Sequence, residues 1–480
     1  MTNGPDFSAV DAPLGFSTVH APLAHWARVR PDAQALDDGT NKFTFSALFV
    51  AVQERALELS HEHAPATVWV DDALSVSARL VEFLGIIASG RCAAIADPEW
   101  PEAVRTQMRA LIDQTSATLP APGPHTPFYV GFTSGSTGLP KGFCRDHRSW
   151  TESFRVCIAE FGEGAGTQVL APGRTSHSLF LFGMLLGLWS GAGVVVQEQF
   201  SATRALDALS QGAARCLVAV PSQLLVMLEL AKRRALPPAE AVAQIMISGA
   251  RWIRDRTPDL KALFPNARIV EFYGASETSF IAWADASDTL PVEVVGRPFN
   301  NVDIDIRDAS GAGEPGLIYV RSPMLFLDYV GGRQDDTAAM RDGDWLSVRD
   351  MGYVDAEGRL CLVGRQKRMI VTQGKNLFPE EVETVLTAHA DVSQASVHGI
   401  PDALRGKQVV AIVALEQPGD SDASALRAWC RVNLETYKAP RRYFLCDDWP
   451  LTASGKTDHV ALADMLARTA DPTSCLRPLL

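Results

Sequence analysis

The chain has 480 residues, room for about two to four domains and a large buried core, which excludes a small scaffold held by disulfides or metal. Hydrophobic residues make up 47% and charged residues 21%, a globular composition far from that of a disordered chain. A formal charge of −12, with no basic cluster anywhere, argues against nucleic acid and anionic lipid as partners.

The first residues, MTNGPDFSAVDAPLG, lack the basic start and apolar stretch of a signal peptide, and the eight cysteines form no CxxC pair or metal-ligand cluster. A reducing cytoplasm is the expected location. Strand-like apolar runs followed by Gly, Ser or Pro and then a helix-period segment recur at PFYVGFT (127–133), LVAVPS (217–222), QIMISGA (244–250) and RIVEFYGA (268–275). This alternation predicts an α/β fold with mainly parallel sheets. After the first run, Trp150, Phe154, Cys157, Ile158 and Phe161 fall on one helical stripe. The glycine-rich stretch between is therefore expected as a strand-to-helix loop at the C-terminal edge of a sheet.

Leu179 to Val196 is apolar enough to consider as a membrane span, but four glycines and Ser190 interrupt it without basic flanks. It reads as a buried helix, a Gly191-Ala192-Gly193 turn and a short strand. Asp255 to Asp259 and the arginines around them read as a solvated face. From near Gly364 onward, short strands (LCLVG, which ends at Gly364, then MIVT, SQASVHGI, QVVAIVAL) alternate with helices near Pro379–His389 and Ala423–Leu434, enough for a small α+β domain.

The richest chemistry lies in Thr133-Ser-Gly-Ser-Thr-Gly-Leu-Pro-Lys141-Gly142, where small residues let backbone N–H groups crowd an anion, hydroxyls add donors and Lys141 adds charge. A flexible Gly/Ser turn needs no such Pro-Lys-Gly ending. The stretch is not a Walker A loop, because Pro140 precedes the lysine where Gly is required and Gly142 follows where Ser or Thr would hold magnesium. Further along come Tyr273-Gly-Ala-Ser-Glu277-Thr278, Ser248-Gly249-Ala250, Asp350 in VRDMGYVDAEGRL, Arg365 in GRQKRMIV and Lys456 in PLTASGK.

In these motifs, and over essentially the whole chain after about residue 125, the sequence resembles the adenylate-forming superfamily of acyl- and aryl-CoA ligases, peptide-synthetase adenylation domains and beetle luciferases. The resemblance implies that Thr133, Ser134, Gly135, Ser136, Thr137, Gly138 and Lys141 cradle the phosphates of ATP. It implies that Gly249 and Ala250 flank adenine, that Tyr273 stacks on it, and that Gly274, Ala275, Ser276 and Thr278 complete the nucleotide site beside Glu277, which holds Mg2+. Asp350 corresponds to the ribose carboxylate, Arg365 to a second ribose or phosphate contact and Lys456 to the lysine that stabilises charge as the adenylate forms. His177, with Phe180, Phe182, Gly183 and Trp252, would line the acyl pocket. Gly374, in TQGKNLFP, would line a pantetheine tunnel, and Lys367 stands where many members carry a hinge Asp.

The implied organisation is an AMP-binding N-terminal domain (1–365), shortened before the phosphate loop, and a mobile C-terminal domain (366–480). Val348-Arg349 replaces the usual Thr-Gly before the ribose carboxylate, so the backbone there is expected to differ. Ser276 replaces a common Thr and keeps its hydroxyl. The implied activity is ATP- and Mg2+-dependent activation of a carboxylic acid to its acyl-AMP, then transfer to coenzyme A. A carrier-protein phosphopantetheine offers the same thiol, and an amine acceptor needs no coenzyme A; both remain open, as does a nucleotide-binding protein without catalysis. SHSLFLFG (176–183) contains no carboxylate to hold an ammonium, so an acid without an α-amino group, aryl or medium alkyl, is expected.

Overall fold

The computed structural model describes residues 15–112, 118–133, 140–311, 313–331, 334–372, 375–402, 406–416, 422–452, 456–468 and 476–479. The chain packs as two units, Met1–Ile304 with Val320–Leu346 and Asp305–Tyr319 with Ser347–Leu480.

Two mixed sheets build the first unit. In the larger, Arg268–Ala275, Gln244–Ile247, Cys216–Ala219, Val169–Ala171, Val194–Val196 and Gln34–Asp37 run parallel in that order. Antiparallel strands flank them, Ser279–Asp285 and Val294–Pro298 on one side and Lys42–Thr44 on the other. Cys216–Ala219 and Gln244–Ile247 are buried at every position, which is why CLVA and, after the buried polar Gln244, IMI read as apolar runs without alternation. The smaller sheet has the order Asp328–Tyr329, Lys141–Asp146, Pro127–Thr133, Cys92–Ala94, Thr67–Trp69.

The apolar segment near residue 180 is a helix, Ser178–Trp189, buried continuously from Phe180 onward and followed by the strand Val194–Val196. Gly191 and Gly193 turn the chain at φ +75° and +85°. Gly187 lets the helix touch that turn, since a Cβ there would sit 2.4 Å from the Gly193 carbonyl oxygen. Among the described residues no helix is long and apolar enough to cross a membrane.

Three expectations are corrected here. Thr133 pairs with Lys141 across antiparallel strands, so the glycine-rich loop closes a hairpin, and the helix His147–Phe161 starts only after the second strand. RIVEFYGA likewise leads into an antiparallel partner, Ser279–Asp285, instead of a helix. Of the arginines placed on a solvated face, Arg256 does bind exposed carboxylates of Glu229 and Asp259, but Arg254 is buried. It pairs with Glu271 at 3.0 Å and donates to the Val294 carbonyl at 2.7 Å, compensation that a buried guanidinium requires.

In the second unit, Gly406–Leu415 alternates faces with period two. Val409, Ala411 and Val413 pack with Val382, Leu386 and Leu426 of the helices Pro379–Thr387 and Ala423–Asn433. Val410 and Ile412 pack on the opposite side with Leu462 and Leu466 of His459–Ala467. Val392–Asp402 and Arg442–Cys446 flank this strand, antiparallel and parallel respectively. Asp350–Val354 and Leu360–Arg365 form a hairpin, and Gly316 and Leu317 pair antiparallel with its first strand.

Candidate active site

The parallel strands Gln244–Ile247 and Arg268–Ala275 run in register, Ile247 opposite Glu271, so Ser248–Ala250 and Tyr273–Ala275 emerge at the same sheet edge. Open α/β sheets bind ligands at that edge. Ser248 Oγ donates to the Phe272 carbonyl at 2.9 Å, fixing the two segments together. Gly249, at φ +88°, reverses the chain in a conformation that favours glycine, and leaves Ala250 exposed.

A register shift follows Tyr273, and at Gly274 a Cβ would lie 1.9 Å from the Ser279 carbonyl oxygen, so only glycine fits this bulge. Thr278, fully buried, accepts from the Ala275 amide at 3.1 Å and closes the turn. At its crown the half-buried Glu277 accepts a 2.7 Å hydrogen bond from the Tyr329 hydroxyl, while its carbonyl accepts from the Phe326 amide at 2.8 Å. Burial and the Glu277 carboxylate both push the Tyr329 phenol above its usual range, so it stays a donor.

On the neighbouring hairpin, Lys141 Nζ contacts Asp336 at 2.8 Å and lies 5.2 Å from the centre of the Tyr329 ring. Lys141 and Glu277 thus share Tyr329 as a neighbour. Ser134, Gly135, Ser136, Thr137 and Gly138 lie outside the described residues, as does Gly374. Tyr329 and Asp336 escaped sequence reasoning; their only local signal is polarity within the segment LDYVGGRQDD.

His177 precedes the helix Ser178–Trp189, half-buried, with its ring 5.2 Å from that of Phe180. Phe180 and Phe182 are buried; Phe182 stacks on Phe154 at 5.1 Å and meets Phe280 edge-on at 5.0 Å. Gly183 faces the sheet, where a Cβ would sit 3.0 Å from Val218. Trp252 is buried in the apolar core and donates to Thr257 Oγ1 at 3.0 Å.

The second unit gathers another set. Asp350 and Arg365 are register partners, and a buried Asp350 carboxylate lies 3.2 Å from an exposed Arg365 guanidinium. Lys456 joins their electrostatic neighbourhood. The residue as a whole is exposed, yet burial of its ammonium and the Arg365 charge hold it below the usual lysine range, with Asp350 opposing. Its amide is tied to Thr452 Oγ1 at 3.2 Å. In the turn before Asp350, Arg349 takes φ +63°, the left-handed conformation that glycine favours. Lys367 is exposed in the short turn Gln366–Arg368.

For magnesium, a hard cation carried mainly by phosphate oxygens, one half-buried carboxylate with a hydroxyl donor behind it is a fitting donor set.

Over residues 43–330 the chain matches the AMP-binding enzyme family, and over 381–456 the AMP-binding enzyme C-terminal domain. It belongs to this family of adenylate-forming enzymes. It is 39% identical over 368 residues to an uncharacterized acyl–CoA ligase, YhfT, of Bacillus subtilis strain 168, spanning 75% of this chain and 74% of that protein. Its fold is similar to o-succinylbenzoate CoA synthetase of Bacillus subtilis, solved with an acyl-adenylate intermediate (TM-score 0.80, 22% identity, 92% of this chain and 97% of that one). It is also similar to the amide bond synthetase McbA of Marinactinospora thermotolerans (TM-score 0.75, 24% identity, 93% and 99%).

Proposed function

We propose that this protein is an ATP-dependent acid–thiol ligase that converts a carboxylic acid without an α-amino group, aryl or medium alkyl, to its acyl-AMP and passes the acyl group to coenzyme A. The observation that carries the reading is the Tyr273–Thr278 turn of an AMP-binding enzyme, with Glu277 held at its crown by Tyr329. A carboxylate cannot be acylating while its leaving group is oxide. When its oxygen attacks the α-phosphorus of ATP, pyrophosphate leaves, and the AMP then bonded to the acyl carbon is a group that a thiol can expel.

In this reading Tyr273, Gly249 and Ala250 hold adenine, Asp350 and Arg365 the ribose, and Lys141 with the 133–138 loop the triphosphate. Glu277 would hold magnesium, which when bound offsets the phosphate charge. Lys456 stabilises charge developing as the acyl-AMP forms. His177, Phe180, Phe182, Gly183 and Trp252 shape the acid's site, and Gly374 lines the path of the pantetheine thiol. The working bodies are residues 1–365 and 366–480 with Lys367 as hinge, acting in the cytoplasm.

The acid assignment rests on SHSLFLFG, which offers no carboxylate; burying an unpaired ammonium there would cost roughly several kcal/mol. The fold likeness to an amide bond synthetase keeps an amine acceptor as the second reading, with a carrier-protein thiol as a variant of the first. Acid-dependent ATP–pyrophosphate exchange across amino acids, benzoates, cinnamates and fatty acids tests the first step. An α-amino acid as best substrate would refute the acid class. Repeating the panel with coenzyme A, a carrier protein or an amine present separates the acceptors.

A further inference from the structure

The strand Lys141–Asp146 carries a residue that the reading above leaves without a role. Arg145 is only 1% exposed. A guanidinium has five N–H donors, and four of them are engaged across three separate segments. Nε donates to Ser149 Oγ at 3.2 Å in the following helix, and Nη1 to the Ser276 carbonyl at 2.6 Å. Nη2 donates to Ser279 Oγ at 2.6 Å and to the Met324 carbonyl.

These acceptors surround Glu277. Ser276 and Ser279 bracket it in the chain, and Ser279 sits at φ +57°, a conformation that a non-glycine residue keeps only when its surroundings impose it. Met324 opens the segment that reaches Glu277 from the other side, through the Phe326 amide and the Tyr329 hydroxyl. One side chain therefore ties the turn that bears Glu277 to the segment that supports it. Burial lowers the guanidinium to about 10, against the Asp146 and Glu277 charges, so it is charged at neutral pH.

We propose that Arg145 is a positioning residue that fixes the Glu277 carboxylate for the metal-bound triphosphate. The proposal rests on the reading that Glu277 holds magnesium during adenylation. It predicts damage confined to nucleotide binding and the first half-reaction, since thioester formation from acyl-AMP makes no use of a metal held at Glu277.

The test compares wild type with Arg145→Met, which leaves the three carbonyl and hydroxyl acceptors around Glu277 without their donor. Calorimetry should give a Kd for Mg2+·ATP raised about 10- to 100-fold, the range found when outer partners of a metal ligand are removed, with pyrophosphate exchange lowered to match. Thioester formation from supplied acyl-AMP should stay within about threefold of wild type, a contrast that general loosening of the fold does not produce. An unchanged Kd, or equal losses in both half-reactions, would overturn the proposal. Should Arg145→Met fail to fold, Ser279→Ala decides: it removes one acceptor and should raise the Mg2+·ATP Kd by about threefold or more, whereas no rise overturns the assignment. Wild-type protein that binds no Mg2+·ATP would instead sink the function proposed above, and binding without acid-dependent exchange would sink its acid-activation step while leaving the Kd comparison informative.

Discussion

Arg349 holds a left-handed backbone at a cost of about 1–2 kcal/mol for an L side chain. Its carbonyl accepts from the Gln366 amide at 3.0 Å and its amide donates to Ser347 Oγ at 3.1 Å, so the turn before Asp350 is determined by its neighbours. Glycine would take the same turn without strain. Arg349→Gly should therefore melt at or above the wild-type temperature, and Arg349→Val, β-branched at the same angle, should lose about 1–2 kcal/mol more. Thermal unfolding of both variants checks the order; Val at or above Gly would contradict it. Lys456→Ala removes a cation proposed to act only on charge developing at phosphate, so adenylate formation should fall about a hundredfold or more while thioester formation from supplied acyl-AMP persists. Equal losses in the two half-reactions would remove Lys456 from that role.

The helix His147–Phe161 begins on a histidine whose burial has a consequence for pH. His147 Nδ1 accepts from the Val19 amide at 3.1 Å, its ring stacks on Phe128 at 4.9 Å, and the His20 ring is 5.5 Å away. Burial, with a smaller contribution from His20, lowers His147 to about 3. The unfolded chain takes up this proton near 6.5 and the folded chain only near 3, so the stability contribution is complete above 6.5 and is lost as pH falls between those values. From pH 6.5 to 5 the loss should be about 2 kcal/mol for this group alone. His147→Gln keeps an acceptor for Val19 and does not titrate. Its denaturation midpoint should depend less on pH over that interval, and a slope equal to wild type would show that His147 does not carry the effect.

For the molecule as a whole, the proposed catalytic cycle needs one reorientation, and the turn Gln366–Arg368 is where the chain can supply it. Arg368 is fixed to the helix Pro379–Thr387 through Glu380 at 2.9 Å and through Glu383, whereas Lys367 is exposed. Rotation is thus expected on the N-terminal side of Arg368. Lys367→Pro fixes φ there and restricts Gln366 as well. Pyrophosphate exchange should stay normal and thioester formation should slow greatly; wild-type rates in both would move the pivot elsewhere.

The sequence by itself determined what is local and contiguous. The apolar strands, the stripe of His147–Phe161, the glycine-interrupted helix near residue 180 and the order of the motifs around Thr133, Tyr273, Asp350 and Lys456 all depend on residues near one another in the chain. Tertiary structure decided what depends on remote partners. Whether the glycine-rich loop enters a helix or closes a hairpin is set by which strand Pro127–Thr133 pairs with, and a strand buried on both faces reads as the same apolar run whichever way its neighbours point. Arg254 reads in the sequence as part of a solvated face and Arg145 carries no signal there, yet both are buried in the fold. A guanidinium can leave water only where carbonyls and carboxylates from distant segments converge on it, and that convergence exists only once the sheets have assembled.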